Sequence, residues 1–134
     1  MTDESTCPFC QIIQGQNADR ICHQTAHGIV IRDAYPVTDG HTLIIPKRHI
    51  QSFFQLAETE RNDLFALLEI AKAEIDREFS PPAFNIGIND GPAAGQTVPH
   101  LHIHLIPRYW EEGVDPRGGV RWVVPGKADY WSKQ

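Results

Sequence analysis

Long apolar runs are missing from this 134-residue chain, and so is any excess of positive charge. No stretch approaches the roughly 20 residues that a membrane-crossing helix needs, so no membrane partner is expected. With 12 lysines and arginines against 17 aspartates and glutamates, the formal net charge of −5 argues against a basic face for nucleic acid. An anionic ligand should therefore be small. The start, Met1-Thr2-Asp3-Glu4-Ser5-Thr6, is polar and acidic rather than a secretory leader, and a cytoplasmic location follows as the default. No internal repeat or low-complexity tract is present.

A hydrophobic fraction of 41% and a charged fraction of 22% are ordinary for a soluble globular chain of one domain. At this size, dimerisation would help bury an exposed sheet face. Phe9, Ile12 and Ile13 at helical spacing predict a short opening helix that Gly15 terminates. Strands are predicted over 20–24, 28–32, 41–46 and 83–89, joined by short turns and therefore antiparallel. Thr59 is a candidate N-cap for a long helix whose Leu64, Leu67, Leu68, Ala71, Ile75 and Phe79 form a core stripe, ended by Ser80-Pro81-Pro82. After Arg108 the chain changes character, with prolines and glycines interleaved with Trp110, Trp122, Tyr130 and Trp131. Aromatics this dense should pack against the domain, a partner subunit or the substrate cleft. The expected division is a domain over 1–108 and a tail over 109–134.

The stretch His100-Leu101-His102-Ile103-His104-Leu105-Ile106 carries the most information. In a strand, expected over 98–107, side chains alternate faces, so the three imidazoles share one surface and the aliphatics the other. Same-face neighbours lie about 6.6 Å apart, so the three rings cannot converge on one metal ion. The row suits an extended anion such as a phosphate chain, with the middle imidazole attacking phosphorus and a neighbour holding oxygens. Histidine does this near neutrality because its ordinary pKa of about 6.5 leaves a nucleophilic nitrogen.

Of the cysteines, Cys22 reads as a packed, reduced thiol in a strand. Cys7-Pro8-Phe9-Cys10 has the spacing that lets two thiolates grip one ion, but a structural zinc needs four ligands. His49 and His100 are the candidates to complete it, which leaves His102 and His104 for phosphate. A thioredoxin-like redox pair, or two reduced thiols packed beside the opening helix, are the alternatives; no strand precedes the motif, as the redox pair would require. The loop Gly91-Pro92-Ala93-Ala94-Gly95-Gln96-Thr97 lacks the Gly-Lys-Ser/Thr ending of a P-loop, but its backbone amides are expected to approach phosphates.

These residues resemble the histidine triad (HIT) family, whose His-φ-His-φ-His-φ-φ hallmark is met in full by 100–106, supported by Thr42 to Ile50 and Asn89 to Val98. The match is closest to the fragile-histidine-triad and bacterial dinucleoside polyphosphate hydrolase branches. The CxxC resembles bacterial members that hold zinc with two cysteines and two histidines. The resemblance implies an α+β fold, with a five-stranded antiparallel sheet pairing into a ten-stranded homodimer. It also implies a nucleotidyl-histidine mechanism with structural zinc and no organic cofactor. By position, His102 would be the nucleophile, His104 would contact phosphate oxygens, and Thr97 and Gln96 would lie by the leaving oxygen. Asp33 would take the ribose hydroxyls, Phe9 and Ile12 would wall the purine, and Asn89 and Gly95 would complete the nucleotide site. His23, His27 and His41 match no catalytic position and read as surface or turn residues. The expected activity is cleavage of a dinucleoside polyphosphate at its α-phosphate. The alternatives are a purine nucleoside phosphoramidase and a nucleotide-binding regulatory module with little turnover.

Overall fold

A computed structural model describes residues 3–133. Five strands, β1 (Ile21–Gln24), β2 (Gly28–Arg32), β3 (Thr42–Pro46), β4 (Ala83–Gly87) and β5 (Ile103–Arg108), form one sheet in the order β1-β2-β3-β5-β4. Every neighbouring pair is antiparallel. The α+β architecture and the five-stranded sheet are those the sequence implies. No helix among the described residues is long and apolar enough to cross a membrane.

The unbroken apolar runs of β2 and β3 are explained by cover on both sheet faces. On one face lies α2 (Glu58–Phe79), whose Leu64, Leu67, Ala71 and Ile75 pack with Val30, Ile44, Leu101, Ile103 and Leu105. Each fully buried aliphatic side chain of this kind contributes about 2 kcal/mol of transfer free energy. On the other face α1 (Pro8–Ile13) sets Phe9, Cys10 and Ile12 against Ile29, Ile31, Leu43 and Ile45. Helix and sheet approach closely at Gly28, where a Cβ would meet Leu64 and Leu67 side-chain carbons at 2.8 Å.

Several boundaries differ from the sequence reading. α2 begins at Glu58, ahead of Thr59, and Glu60 replaces the missing cap by accepting the Ala57 amide at 2.8 Å. β4 ends at Gly87, short of residue 89. β5 begins at Ile103 rather than Val98, because the His100 amide turns back to the Val98 carbonyl (2.8 Å) and the Leu101 amide goes to Ile50 in the loop after β3 (2.7 Å). The alternation nevertheless survives: Leu101, Ile103 and Leu105 enter the α2-side core. Cys22 is exposed rather than packed, since β1 lies at the sheet edge with its even positions outward.

Residues after β5 form short 3-10 turns, including Trp110–Glu112 and Gly119–Val123. The tail is cross-braced. Arg117 and Arg121 lie 4.8 Å over the rings of Trp131 and Tyr130, and Trp122 Nε1 donates to the Arg117 carbonyl at 2.8 Å. It lies against β4, where a Cβ on Gly119 would sit 3.4 Å from Asn85 Nδ2.

Candidate functional site

His102 and His104 open onto a cleft of about 480 Å³ on the α1 side of the sheet. Phe9 from α1 meets the His102 ring edge-on at 5.1 Å, and Leu43, the cross-strand partner of His104, lines the same space. Asp33, Asn89, Gly95 and Thr97 also line it. Arg20 is the one lysine or arginine among the described lining residues, its Nη2 anchored on the Arg32 carbonyl at 3.0 Å.

Two expected members stand elsewhere. Ile12 is buried in the core under α1 and does not line the cleft. Gln96 is buried as a loop brace: its Oε1 accepts the Gly91 amide at 2.8 Å and its Nε2 donates to the Gln51 and Val98 carbonyls at 3.1 Å. The Gly95 and Gln96 amides close the turn on the Pro92 and Gly91 carbonyls, so these two are engaged within the loop rather than offered to a phosphate. Asp90 fixes the same loop by accepting from Ser52 Oγ and the Phe53 amide.

The hydrogen bonds determine the tautomers. His102 Nδ1 lies 2.9 Å from the His100 carbonyl, which can only accept, so the proton sits on Nδ1 and Nε2 carries a lone pair. His104 is the opposite. The Val37 amide donates to His41 Nδ1 at 3.1 Å, so His41 is protonated on Nε2 and donates at 3.0 Å to His104 Nδ1. His104 therefore holds its own proton on Nε2. Burial pushes His104 down to about 4, helped by His102 and His41, and lowers His41 as well despite Asp33. Both rings are neutral at physiological pH.

His41 corrects the sequence reading: it is 3% exposed and is joined to His104, with Asp33 Oδ2 3.4 Å from its Nε2. The only sequence signal was its place at the mouth of an apolar strand, which places its ring on the sheet face that His104 occupies across β3 and β5. His23, paired with Glu74, and His27 remain half-buried outside the cleft.

Cys7, Cys10, His49 and His100 present four donor atoms within 4.8 Å of one another. Cys7 Sγ and Cys10 Sγ lie 3.4 and 3.5 Å from His100 Nδ1, while His49 Nδ1 lies 3.1 Å from both Cys10 Sγ and His100 Nδ1. A tetrahedral zinc with Zn–N near 2.05 Å and Zn–S near 2.3 Å would separate its ligands by roughly 3.3 to 3.8 Å, so the donor set fits. The tautomer fits too: His100 Nε2 donates to the Pro46 carbonyl at 2.8 Å, which aims the Nδ1 lone pair inward. Burial, with the adjacent Cys7 thiol, pushes the Cys10 thiol up to about 12. A divalent cation reverses that balance, because a coordinating thiol is deprotonated.

A HIT domain profile matches residues 14–111 of the chain. The crystal structure of a HIT family protein from Bacillus anthracis str. 'Ames Ancestor' superposes with a TM-score of 0.74 at 42% identity, covering 79% of this chain and 75% of that one. A ZN-bound histidine triad family protein from Mycobacterium smegmatis superposes with a TM-score of 0.71 at 32% identity, covering 84% and 82%. Among sequences, the asymmetrical bis(5'-nucleosyl)-tetraphosphatase of Schizosaccharomyces pombe is 47% identical over 73 residues, 54% of this chain and 40% of that protein. Profile, solved structures and the geometry of the histidine row agree, and the chain belongs to the HIT family.

Proposed function

We propose that the protein hydrolyses dinucleoside polyphosphates at the α-phosphate through a nucleotidyl-His102 intermediate. The observation that carries this reading is the pair of opposite tautomers: a lone pair on His102 Nε2 beside an N–H on His104 Nε2. In the first step His102 Nε2 forms a P–N bond to the α-phosphorus, and the bond from phosphorus to the bridging oxygen breaks. The electron pair leaves with the departing nucleotide. His104 Nε2–H donates to the oxygens where charge gathers, a role that needs a neutral donor rather than a nucleophile. Water then cleaves the P–N bond, releasing nucleoside monophosphate and restoring His102.

Asp33 can accept from both ribose hydroxyls at its end of the cleft, Phe9 offers an apolar wall to the purine, and Arg20 adds positive charge. Asn89, Gly95 and Thr97 line the same cleft, and in this reading they stand beside the phosphates. The Schizosaccharomyces tetraphosphatase supports this substrate class. Cys7, Cys10, His49 and His100 would hold a structural zinc, which ties α1 and the loop after β3 to the histidine row. We also take residues 1–108 as the domain and 109–134 as its tail. The edge strand β4, with Ile86 half exposed, is the edge on which a partner sheet would add.

The test is hydrolysis of diadenosine tetraphosphate by the wild type and by His102→Ala. Turnover in the wild type and its loss in a variant that still binds nucleotide is the expected result. Undiminished hydrolysis by His102→Ala would remove the proposal.

A further inference from the structure

Arg20 enters the cleft with its charge unpaired. It is half-buried on the lining, and among the described residues no carboxylate lies within ion-pairing distance of its guanidinium. Its Nη2 donates to the Arg32 carbonyl at 3.0 Å, and its other N–H groups meet no protein acceptor among the described residues. Partial withdrawal of such donors from water is costly unless a ligand takes them up.

We propose that Arg20 reads the base of the bound nucleotide, offering a fork of two N–H groups to O6 and N7 of a purine, so that the site prefers a 6-oxopurine to adenine. The inference rests on the nucleotide reading of the cleft above and names the base that it selects. Three observations carry it. First, the sheet fixes the order of groups along the cleft: His104 on β5, His41 at the mouth of β3, Asp33 at the end of β2 and Arg20 at the start of β1, on four strands that are successive neighbours. With about 4.8 Å between strands, Arg20 stands roughly 14 Å from His104, on the far side of Asp33. A nucleotide has the same order of phosphate, ribose and base, so a ribose held by Asp33 delivers its base to Arg20. Second, the Asp33 carboxylate turns back toward the histidines, with Oδ2 3.4 Å from His41 Nε2 and Oδ1 accepting the Tyr35 amide. It therefore leaves the guanidinium unneutralised, while the Arg32 carbonyl takes one N–H, fixes the plane and leaves one two-pronged edge open. Third, α1 packs on the turn that carries Arg20 and brings Pro8 and Phe9 to the same end of the cleft, an apolar wall for the face of a base whose edge meets the fork. A guanidinium only donates. Guanine and hypoxanthine present two acceptors, O6 and N7, whereas adenine sets an amino N–H against the fork.

The experiment measures calorimetric affinities of the full chain for inosine 5'-monophosphate and adenosine 5'-monophosphate, which differ in the base at the edge in question and require no turnover. The wild type should bind the inosine nucleotide about tenfold more tightly, near the lower end of what one bidentate base contact carries. In Arg20→Ala that ratio should fall to near one. In Arg20→Lys, which keeps the charge and loses the planar fork, the ratio should also fall while the affinity for the adenosine nucleotide stays near the wild-type value. The 7-deaza analogue of the inosine nucleotide lacks the N7 acceptor and should lose the advantage in the wild type itself, so the test does not depend on a variant that folds. Equal affinities in the wild type, or a preference for adenosine, overturn the inference. An equal loss on both nucleotides in Arg20→Ala also overturns it, since that makes Arg20 a phosphate contact or a brace. If the wild type binds neither nucleotide, the nucleotide reading of the cleft itself fails and takes the base preference with it.

Discussion

His41 donates from Nε2 to Nδ1 of His104 across 3.0 Å, and the Val37 amide fixes the direction of that bond by donating to the other side of the His41 ring. The backbone therefore decides where the proton of His104 resides. Two adjacent histidines of one row become a lone pair and a donor without a difference in residue type.

His41→Ala should lower kcat for diadenosine tetraphosphate by about 10²-fold, the lower range for losing a positioned proton donor. The His104 ring would then be free to adopt either tautomer. KM should move less than kcat, because His41, although it lines the cleft, is only 3% exposed and acts through its hydrogen bond to His104. Steady-state kinetics on a variant with unchanged circular dichroism reads this, and an unaffected kcat would refute the relay.

Protein purified without added metal should carry about one zinc per chain by elemental analysis, and Cys10→Ala should carry none. The variant should also unfold at lower temperature and turn over more slowly. The second effect arises because His100 offers its ring to the metal cage and its carbonyl to His102 Nδ1. Full zinc content in Cys10→Ala would count against the ligand set.

Stability should be level between about pH 6.5 and 8, below the ordinary thiol value, and fall as the pH drops toward 4. His100 and His104 are pushed down to about 4, burial being the main cause in each. Above the ordinary histidine value both rings are neutral in the folded and the unfolded chain, and they contribute no pH dependence. Below it the unfolded chain takes up protons that the folded chain refuses, and each such ring costs about 1.4 kcal/mol per pH unit. Glu60, held at about 2 chiefly by its hydrogen bonds with Arg48, adds its own loss only once the pH is below about 4.5. Urea midpoints measured on metal-loaded protein at pH 7.5, 6 and 5 check this for His104. Equal midpoints would show that its burial is not maintained.

Gly28→Ala should cost roughly 1–3 kcal/mol in urea unfolding with little change in KM. The added methyl would press on Leu64 and Leu67 at 2.8 Å and on the Ile45 carbonyl at 3.2 Å, far from the cleft. A variant as stable as the wild type would show that α2 can shift away from the sheet at no cost.

The alternation of histidine and aliphatic residues, the stripe on α2 and the apolar runs of β2 and β3 determined these elements and their buried faces by themselves, because each is a local periodicity that maps directly onto one element, whereas the five-stranded sheet was what the family resemblance implied. The CxxC likewise announced two donors of a Cys/His group that could hold a metal. What the sequence could not carry was any relation across many residues without a period. His41 lies 63 residues from His104, and only the antiparallel pairing of β3 with β5 sets them ring to ring. Gln96 matched a substrate contact by position, yet the fold turned its amide inward because the loop's backbone groups needed partners once buried. The tail's aromatics signalled packing without a destination. Tertiary structure supplied it by laying Trp122 and Val120 beside β4, where the sheet edge left a concave surface open next to His104.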